Sequence, residues 1–186
     1  MISVPQRLHL DTAGEKARYD SHRNTIDDAG YVATFAPLIA LVVEHQPSPA
    51  TLLDYGCHAE QVLVELFRRE GYDAVGYDPH YTRPLEAIAA ETPAFDIVVS
   101  TETIEHFTRP REDFDRLAAL VAARGVLAVM TRFHAGPDSI ASWWYARDPT
   151  HVAFYSHRTM DWIAREYGLA IVARNDRDLC LFRKPD

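Results

Sequence analysis

Short apolar segments typical of β-strands alternate with amphipathic helical segments along most of this sequence. Strands are predicted over residues 51–55, 74–78, 95–100 and 125–131. Helical spacing of apolar residues predicts helices over residues 28–46, 62–67, 114–121 and 160–167. Strands that alternate with helices form a parallel sheet with helices on both faces, so this alternation predicts an α/β fold.

The two ends of the chain depart from this alternation. Short strands near 169–174 and 178–183 are separated by a brief link around Asn175. We therefore expect them to form an antiparallel hairpin at one edge of the sheet. Residues 1–27 are polar and have few periodic apolar positions, which predicts an N-terminal arm or lid that lies on a domain formed by residues 28–186.

Composition narrows the class of protein. Apolar residues make up 47% of the 186 residues and charged residues 25%, as in an ordinary globular domain. No run of about 18 apolar residues occurs, so we expect no membrane-spanning helix. The start lacks a signal-peptide pattern and the two cysteines are too few for a disulfide framework, which favours a cytoplasmic protein. The net charge of −8 argues against a nucleic-acid partner and favours a small-molecule substrate, while the oligomeric state is left open.

Three residues at predicted strand ends suggest a nucleotide-type site. Gly56 follows the first strand of the alternation, Asp54 lies just before Gly56, and Asp78 ends the next strand, 22 residues after Gly56. Ligands of open α/β sheets bind at the carboxyl ends of the strands, and an acid at this spacing can accept hydrogen bonds from both ribose hydroxyls. The bland alternative is that Gly56 makes a simple turn and that Asp78-Pro79 begins a loop.

Three segments together resemble the successive motifs of class I S-adenosylmethionine-dependent methyltransferases. These segments are Leu53–Cys57, Val75–Asp78 and Phe95–His106, within a similarity that covers about residues 50–183. The resemblance implies a Rossmann-like three-layer sandwich and S-adenosylmethionine (SAM) as cofactor. It also implies a role for five residues: Asp54 and Gly56 beside the methionine part of SAM, Asp78 on the ribose, and Ser100 and Thr101 at the border of the site.

The sequence departs from the family pattern in two places. Two further glycines are usual after Gly56, where this chain has His58 and Glu60, so a degenerate binding module without catalysis is one alternative. The usual fold has a helix, a strand and another helix between the second and third strands of this pattern. Residues 79–94 are too few for all three, which predicts a sheet of about six strands.

The segment Glu102-Thr-Ile-Glu-His106 suggests a metal site. If a helical turn begins at Glu102, then Glu102, Glu105 and His106 lie on one face and can bind a divalent ion. The segment resembles the Glu-x-x-Glu-His motif of metal-dependent O-methyltransferases, which implies Mg²⁺ or Mn²⁺. By the same resemblance, His151 within Arg147–Tyr155 is a fourth ligand.

Simpler interpretations stay open for each part of this segment. Glutamate and histidine also follow this strand in methyltransferases that use no metal, where His106 would bond to the loop or act as a base. A glutamate pair at this spacing is often a solvated helix face, and a lone histidine such as His151 is often structural.

The function expected from these observations is O-methylation of a small hydroxylated molecule with help from a divalent metal. A metal that touches a hydroxyl lowers its pKa, and His106 or His151 would serve as a ligand or as the base. Methylation of the terminal ribose of a nucleic acid is the alternative within the same fold.

Two further segments are candidates for parts of the site. The aromatic run that contains Trp143 and Trp144 either walls the acceptor pocket or belongs to the core. Tyr19, His22 and Asn24 in the N-terminal arm either belong to a lid that excludes water or have no role.

Overall fold

A computed structural model of the protein describes residues 1–21 and 25–186. The predicted arm residues His22 and Asn24 lie outside the described residues. The strands are β1 (Ile2–Ser3), β2 (Thr51–Tyr55), β3 (Asp73–Tyr77), β4 (Phe95–Thr101), β5 (Val121–Met130), β6 (Ala153–Phe154), β7 (Ala170–Arg174) and β8 (Leu179–Arg183). The α-helices are α1 (Thr12–Tyr19), α2 (Ala29–Thr34), α3 (Ala36–His45), α4 (Val62–Arg69), α5 (Leu85–Glu91), α6 (Pro110–Leu120), α7 (Pro137–Ile140) and α8 (His157–Glu166).

A six-stranded sheet with the order β3-β2-β4-β5-β8-β7 forms the centre of the fold. The first four strands of this order are mutually parallel, and β8 runs antiparallel to both β5 and β7. The predicted parallel sheet with an antiparallel C-terminal pair is therefore confirmed. Between β3 and β4 the structure has the short helix α5 and no strand, which confirms the predicted count of six.

Two apolar clusters cover the two faces of this sheet and make three layers. One cluster packs α6 and α8 against the sheet through residues such as Phe114 and Met160. The other packs α3 and α4 against the opposite face through residues such as Leu38 and Phe67. Because both faces of the sheet are buried, the central strands are nearly continuous apolar segments in the sequence.

The helix predicted over residues 28–46 is wrong as a single element, because the structure divides it into α2 and α3. The expected start is confirmed, since the Asp28 side chain caps α2 by accepting from the amides of Gly30 and Tyr31. Pro37 lies in the first turn of α3 and has no N–H to donate to the carbonyl of the preceding turn. The helical ladder is therefore interrupted near Phe35.

The N-terminal segment is joined to the rest of the chain by its first strand. Strand β1 pairs antiparallel with β6, at the register Ile2 to Phe154. Helix α1 is capped by Asp11, whose side chain accepts from the amide of Gly14. Within the described residues, no helix combines the length and the apolar character needed to cross a bilayer.

Two positions of α3 test its orientation on the sheet. Leu38 is fully buried and Val43 is 38% exposed. Leu38→Ala is expected to lower the free energy of unfolding by about 2–5 kcal/mol, because it leaves a cavity in the core. Val43→Ala on the same helix is the control, with an expected change within about 0.5 kcal/mol. Urea titrations measure both values, and equal costs would contradict the packing of α3.

Candidate active site

The carboxyl ends of β2, β3 and β4 open into a cleft of about 480 Å³. This volume lies within the range of small-molecule and cofactor sites. Of the residues predicted to bind cofactor or metal, those that line the cleft are Asp54, Gly56, Asp78, Thr101, Glu102, His106 and His151. Ser100 and Glu105 are fully buried and are not among the lining residues. The Ser100 hydroxyl donates to the Tyr55 carbonyl at 3.0 Å and so joins the ends of two strands.

Gly56 makes the turn that shapes the floor of the cleft. Its φ of +94° is unfavourable for any residue with a side chain. A Cβ atom at this position would lie 2.2 Å from the Thr103 hydroxyl oxygen, which no packing tolerates. The amides of Gly56 and Cys57 both donate to the Tyr77 carbonyl, at 2.7 and 3.0 Å. The turn after β2 is therefore fixed to the end of β3.

Asp78 directly follows β3, and its carboxylate bonds to the loop after β2 and to the loop after β3. One carboxylate oxygen accepts from the His58 amide at 3.1 Å and the other from the His80 amide at 2.9 Å. Each oxygen has a second lone pair, so the side chain can still accept from a ligand. The arrangement sets a carboxylate with fixed orientation at the mouth of the cleft.

Asp54 is fully buried, and its Oδ1 atom has no hydrogen-bond partner within the described residues. Burial, followed by the nearby charge of Asp78, raises the pKa of Asp54 to about 7. A buried acceptor without a donor is costly and is rare in native proteins. The cleft therefore presents an acceptor that a ligand with N–H or cationic groups would satisfy.

The two residues that replace glycines of the family pattern have different positions. His58 lines the cleft, and its ring packs against Tyr81 at a centroid distance of 5.0 Å. Its φ of +58° is in the left-handed region that glycine favours. Glu60 is exposed and is not a lining residue.

The helical turn expected to begin at Glu102 is wrong. Glu102 has a φ of +46°, and its amide donates to the Met130 carbonyl at 2.7 Å. Its backbone therefore still bonds to the sheet, and a single 3₁₀ turn begins later and covers Ile104–His106. Glu102, Glu105 and His106 are not brought to one face by α-helical periodicity.

A potential metal-binding group is nevertheless present at this end of the sheet. One ligand atom from each of Glu105, His106 and His151 lies within 4.8 Å of the others. Glu102 lies outside this group, so three of the four expected ligands are brought together. The two imidazoles come from distant parts of the chain, with ring centroids 4.8 Å apart.

Backbone carbonyls orient both imidazoles of this group. The Nδ1 atom of His106 lies 3.0 Å from the Thr150 carbonyl, and that of His151 lies 2.7 Å from the Tyr145 carbonyl. A carbonyl only accepts, so each Nδ1 carries the proton and each Nε2 keeps a free lone pair. This is the arrangement in which histidine binds a metal or accepts a proton.

Burial controls the charge of the group. It lowers the pKa of His106, and together with the charge of His106 it lowers the pKa of His151 to about 4. Both imidazoles are therefore neutral at pH 7. Burial raises the pKa of Glu105 to about 7, and burial together with the charge of Glu105 raises the pKa of Glu102 to about 8. Glu105 also has one buried oxygen, Oε2, with no partner within the described residues. An orphaned carboxylate oxygen beside two neutral imidazoles is a donor set that suits a divalent cation.

Tyr145 is a residue of this site that sequence reasoning missed. Its hydroxyl donates to Glu105 Oε1 at 2.5 Å and lies 3.1 Å from Glu102 Oε2. A phenol has one proton, so the contact with Glu102 requires a proton on that carboxyl, in keeping with its raised pKa. The aromatic run around Tyr145 was the only signal in the sequence.

The two tryptophans of that run do not wall the cleft. Trp143 packs against Tyr145 and Phe154, at centroid distances of 5.0 and 5.9 Å. Trp144 is 63% exposed, and neither residue is among those that line the cleft. Trp143 is half-buried and packs on the core residues Tyr145 and Phe154, so neither tryptophan belongs to the core itself.

Helix α1 covers the cleft from one side. The Tyr19 ring meets the His80 and His106 rings edge-on, at 5.7 and 5.3 Å. Arg18 pairs with Asp148 at 2.6 Å, in the loop that precedes His151. Although burial alone would raise the pKa of Asp148, Arg18 and the Thr150 donors outweigh it and hold the pKa below its usual range.

Comparison with known proteins assigns the chain to a family. Residues 2–174 match the family described as "Methyltransferase domain". The chain belongs to this family. The membership confirms the methyltransferase predicted from the sequence. No curated protein matches the sequence.

Solved structures with the same fold are distant in sequence. An O-methyltransferase family protein from Burkholderia thailandensis is 18% identical with a TM-score of 0.62, over 97% of this chain and 62% of its own length. The 1,6-didemethyltoxoflavin-N1-methyltransferase of the same organism, solved with its substrate and S-adenosylhomocysteine, is 16% identical with a TM-score of 0.65, over 99% of this chain and 94% of its own. A SAM-dependent methyltransferase from Archaeoglobus fulgidus is 14% identical with a TM-score of 0.61, over 82% of this chain and 94% of its own. The chain thus spans less than two thirds of the first of these proteins. These likenesses confirm the fold.

The ion pair between Arg18 and Asp148 gives a pH-dependent prediction. Arg18→Ala is expected to lower the free energy of unfolding at pH 7 by about 1 kcal/mol or less, because the pair is partly exposed. The folded-state pKa of Asp148 is depressed. The contribution is therefore fully present above the ordinary aspartate pKa of about 3.9 and is lost as the pH falls through the lower folded-state value.

Urea titrations of wild type and Arg18→Ala at pH 7 and pH 3 measure this contribution. The control is Arg109→Ala, which removes a 70% exposed arginine and is expected to change little at either pH. A penalty for Arg18→Ala that is as large at pH 3 as at pH 7 would contradict the ion pair.

Proposed function

We propose that this protein transfers the methyl group of SAM to a hydroxyl of a small molecule, assisted by Mg²⁺ or Mn²⁺. One observation carries the proposal. A single cleft contains both the acidic side chains expected for the cofactor, Asp54 and Asp78, and the imidazoles of His106 and His151. Donor and acceptor chemistry would thus meet in one enclosed space.

The cofactor part of the proposal concerns five residues. Asp78 accepts from the ribose hydroxyls, and the orphaned Asp54 Oδ1 atom accepts from the methionine part. Gly56 lets the backbone approach the cofactor and Thr101 borders it, while Ser100 lies buried behind the cleft, where its hydroxyl bonds to the Tyr55 carbonyl. The Burkholderia N1-methyltransferase that shares this fold holds S-adenosylhomocysteine, which supports a sulfonium donor here.

The metal part assigns Glu105, His106 and His151 as ligands, whereas Glu102, the fourth ligand predicted from the sequence, lies outside their group and contacts Tyr145. A bound divalent ion would lower the pKa of a hydroxyl that it touches. The orphaned Glu105 Oε2 atom and the two free Nε2 atoms support this assignment.

The chemical step is an in-line displacement at the methyl carbon. A bond forms from the acceptor oxygen to the methyl carbon as the bond from that carbon to sulfur breaks. The acceptor loses a proton, and an imidazole whose Nε2 atom is not bound to the ion can take it, because both imidazoles are neutral at pH 7. His106 and His151 are therefore proposed as the catalytic residues.

Residues 1–27 are proposed as a lid over a methyltransferase domain of residues 28–186. The contacts of α1 with His80, His106 and Asp148 support this division. A small molecule is the proposed acceptor, because the net charge of −8 opposes the binding of a nucleic-acid backbone.

Asp78→Ala tests the cofactor assignment. The variant is expected to bind SAM about 10- to 100-fold more weakly, because charge-assisted hydrogen bonds to the ribose are lost. Isothermal titration calorimetry with SAM gives the affinity. Asp73→Ala, which removes an exposed aspartate from the same strand, is the matched control. Equal SAM affinity in wild type and Asp78→Ala would contradict the cofactor-binding role of Asp78.

Glu105→Gln and His151→Ala test the metal assignment. Wild type is expected to lose methyl transfer to hydroxylated acceptors when treated with a chelator and to regain it with added Mn²⁺. Both variants are expected to lose most activity and to show weak Mn²⁺ binding by electron paramagnetic resonance. His45→Ala, at the end of α3, is the control. If both variants keep methyl-transfer activity and the chelator does not reduce it, the metal part of the proposal is wrong.

A further inference from the structure

We propose that Tyr145 is the positioning residue of the metal site, which it holds through its hydroxyl and its backbone carbonyl. The inference rests on the proposed function, because it concerns the group formed by Glu105, His106 and His151. Tyr145 touches two members of this group by two different atoms, and its own position is fixed by burial.

The phenol sets the orientation of the Glu105 carboxylate. Its hydroxyl donates to Oε1 at 2.5 Å, while Oε2 is buried without a partner. One oxygen is thus held by the protein and the other is left for a ligand. Without the phenol, Oε1 would lose its closest donor and the carboxylate would be held less firmly toward the imidazoles.

The backbone of Tyr145 sets the orientation of His151. Its carbonyl accepts from Nδ1 at 2.7 Å, which fixes the tautomer and presents Nε2. The Tyr145 ring also packs against the imidazole, with centroids 4.2 Å apart and planes at 55°. One residue therefore orients an oxygen ligand and a nitrogen ligand together.

Tyr145 can serve this purpose because its own side chain is held firmly. The residue is 2% exposed, within the 3₁₀ turn Trp144–Arg147. Trp143 packs on its ring, and the Thr131 hydroxyl lies 3.2 Å from its oxygen. Precise ligand geometry needs such supporting contacts, since a ligand free to rotate loses affinity for the ion.

Tyr145→Phe tests the inference, because it removes the hydroxyl and keeps the ring and the carbonyl. Mn²⁺ affinity of the full chain, measured by electron paramagnetic resonance of the free ion, is expected to fall about 10- to 100-fold. SAM affinity by calorimetry is expected to stay unchanged, which a general loss of structure would not allow. Tyr72→Phe is the matched control, since Tyr72 is also buried and donates to a distant carbonyl, that of Gln46.

The outcomes separate this inference from the proposed function. If wild type binds no Mn²⁺, the metal part of the proposed function fails, and the inference fails with it. If wild type and Tyr145→Phe bind Mn²⁺ equally, only the inference is overturned. Should Tyr145→Phe not fold, Thr131→Val removes the hydroxyl that orients the phenol and is expected to weaken Mn²⁺ binding roughly threefold. An unchanged affinity in that variant would overturn the inference as well.

Discussion

The parallel pairing of β2 with β3 and β4 is the constraint on which the site depends. Asp54 is in register with Gly76 on one side and with Val99 on the other, so the three strands end at one edge. The Tyr77 carbonyl then accepts two amides from the turn at Gly56 and closes the floor of the cleft. Parallel strands place their carboxyl ends together, and every residue proposed to bind cofactor lies in the last two positions of such a strand or directly after it.

Carboxyl groups buried at this edge explain why the cleft is suited to cationic ligands. Asp54 and Glu105 each have a buried oxygen without a partner in the described part of the chain. Burying such groups costs free energy unless a donor or a cation compensates them. In the proposed function, the methionine part of SAM compensates Asp54 and the divalent ion compensates Glu105. The two ligands would therefore stabilise the protein as well as react in it.

A chain of contacts links the covering helix α1 to the group formed by Glu105, His106 and His151. Arg18 of α1 pairs with Asp148, which accepts from both the amide and the hydroxyl of Thr150. The Thr150 carbonyl in turn accepts from His106. The loop that contains Tyr145 thus orients His106 and His151 and is itself held by α1. The orientation of the two imidazoles therefore depends on the position of α1.

Patterns in the sequence predicted the alternating strands and helices, the six strands of the central sheet, and the strand-end positions of Asp54, Gly56 and Asp78. These follow from local periodicity, which a linear pattern records directly. Two features became visible only in the folded structure. Glu102 follows β4 without starting an α-helix, and the Tyr145 hydroxyl donates a hydrogen bond to Glu105. The structure also shows that the His151 ring contacts the His106 ring. In the sequence, only the family resemblance had suggested that these two histidines lie together. Contacts between distant segments depend on how whole elements pack, and the spacing of residues along the chain does not contain that information.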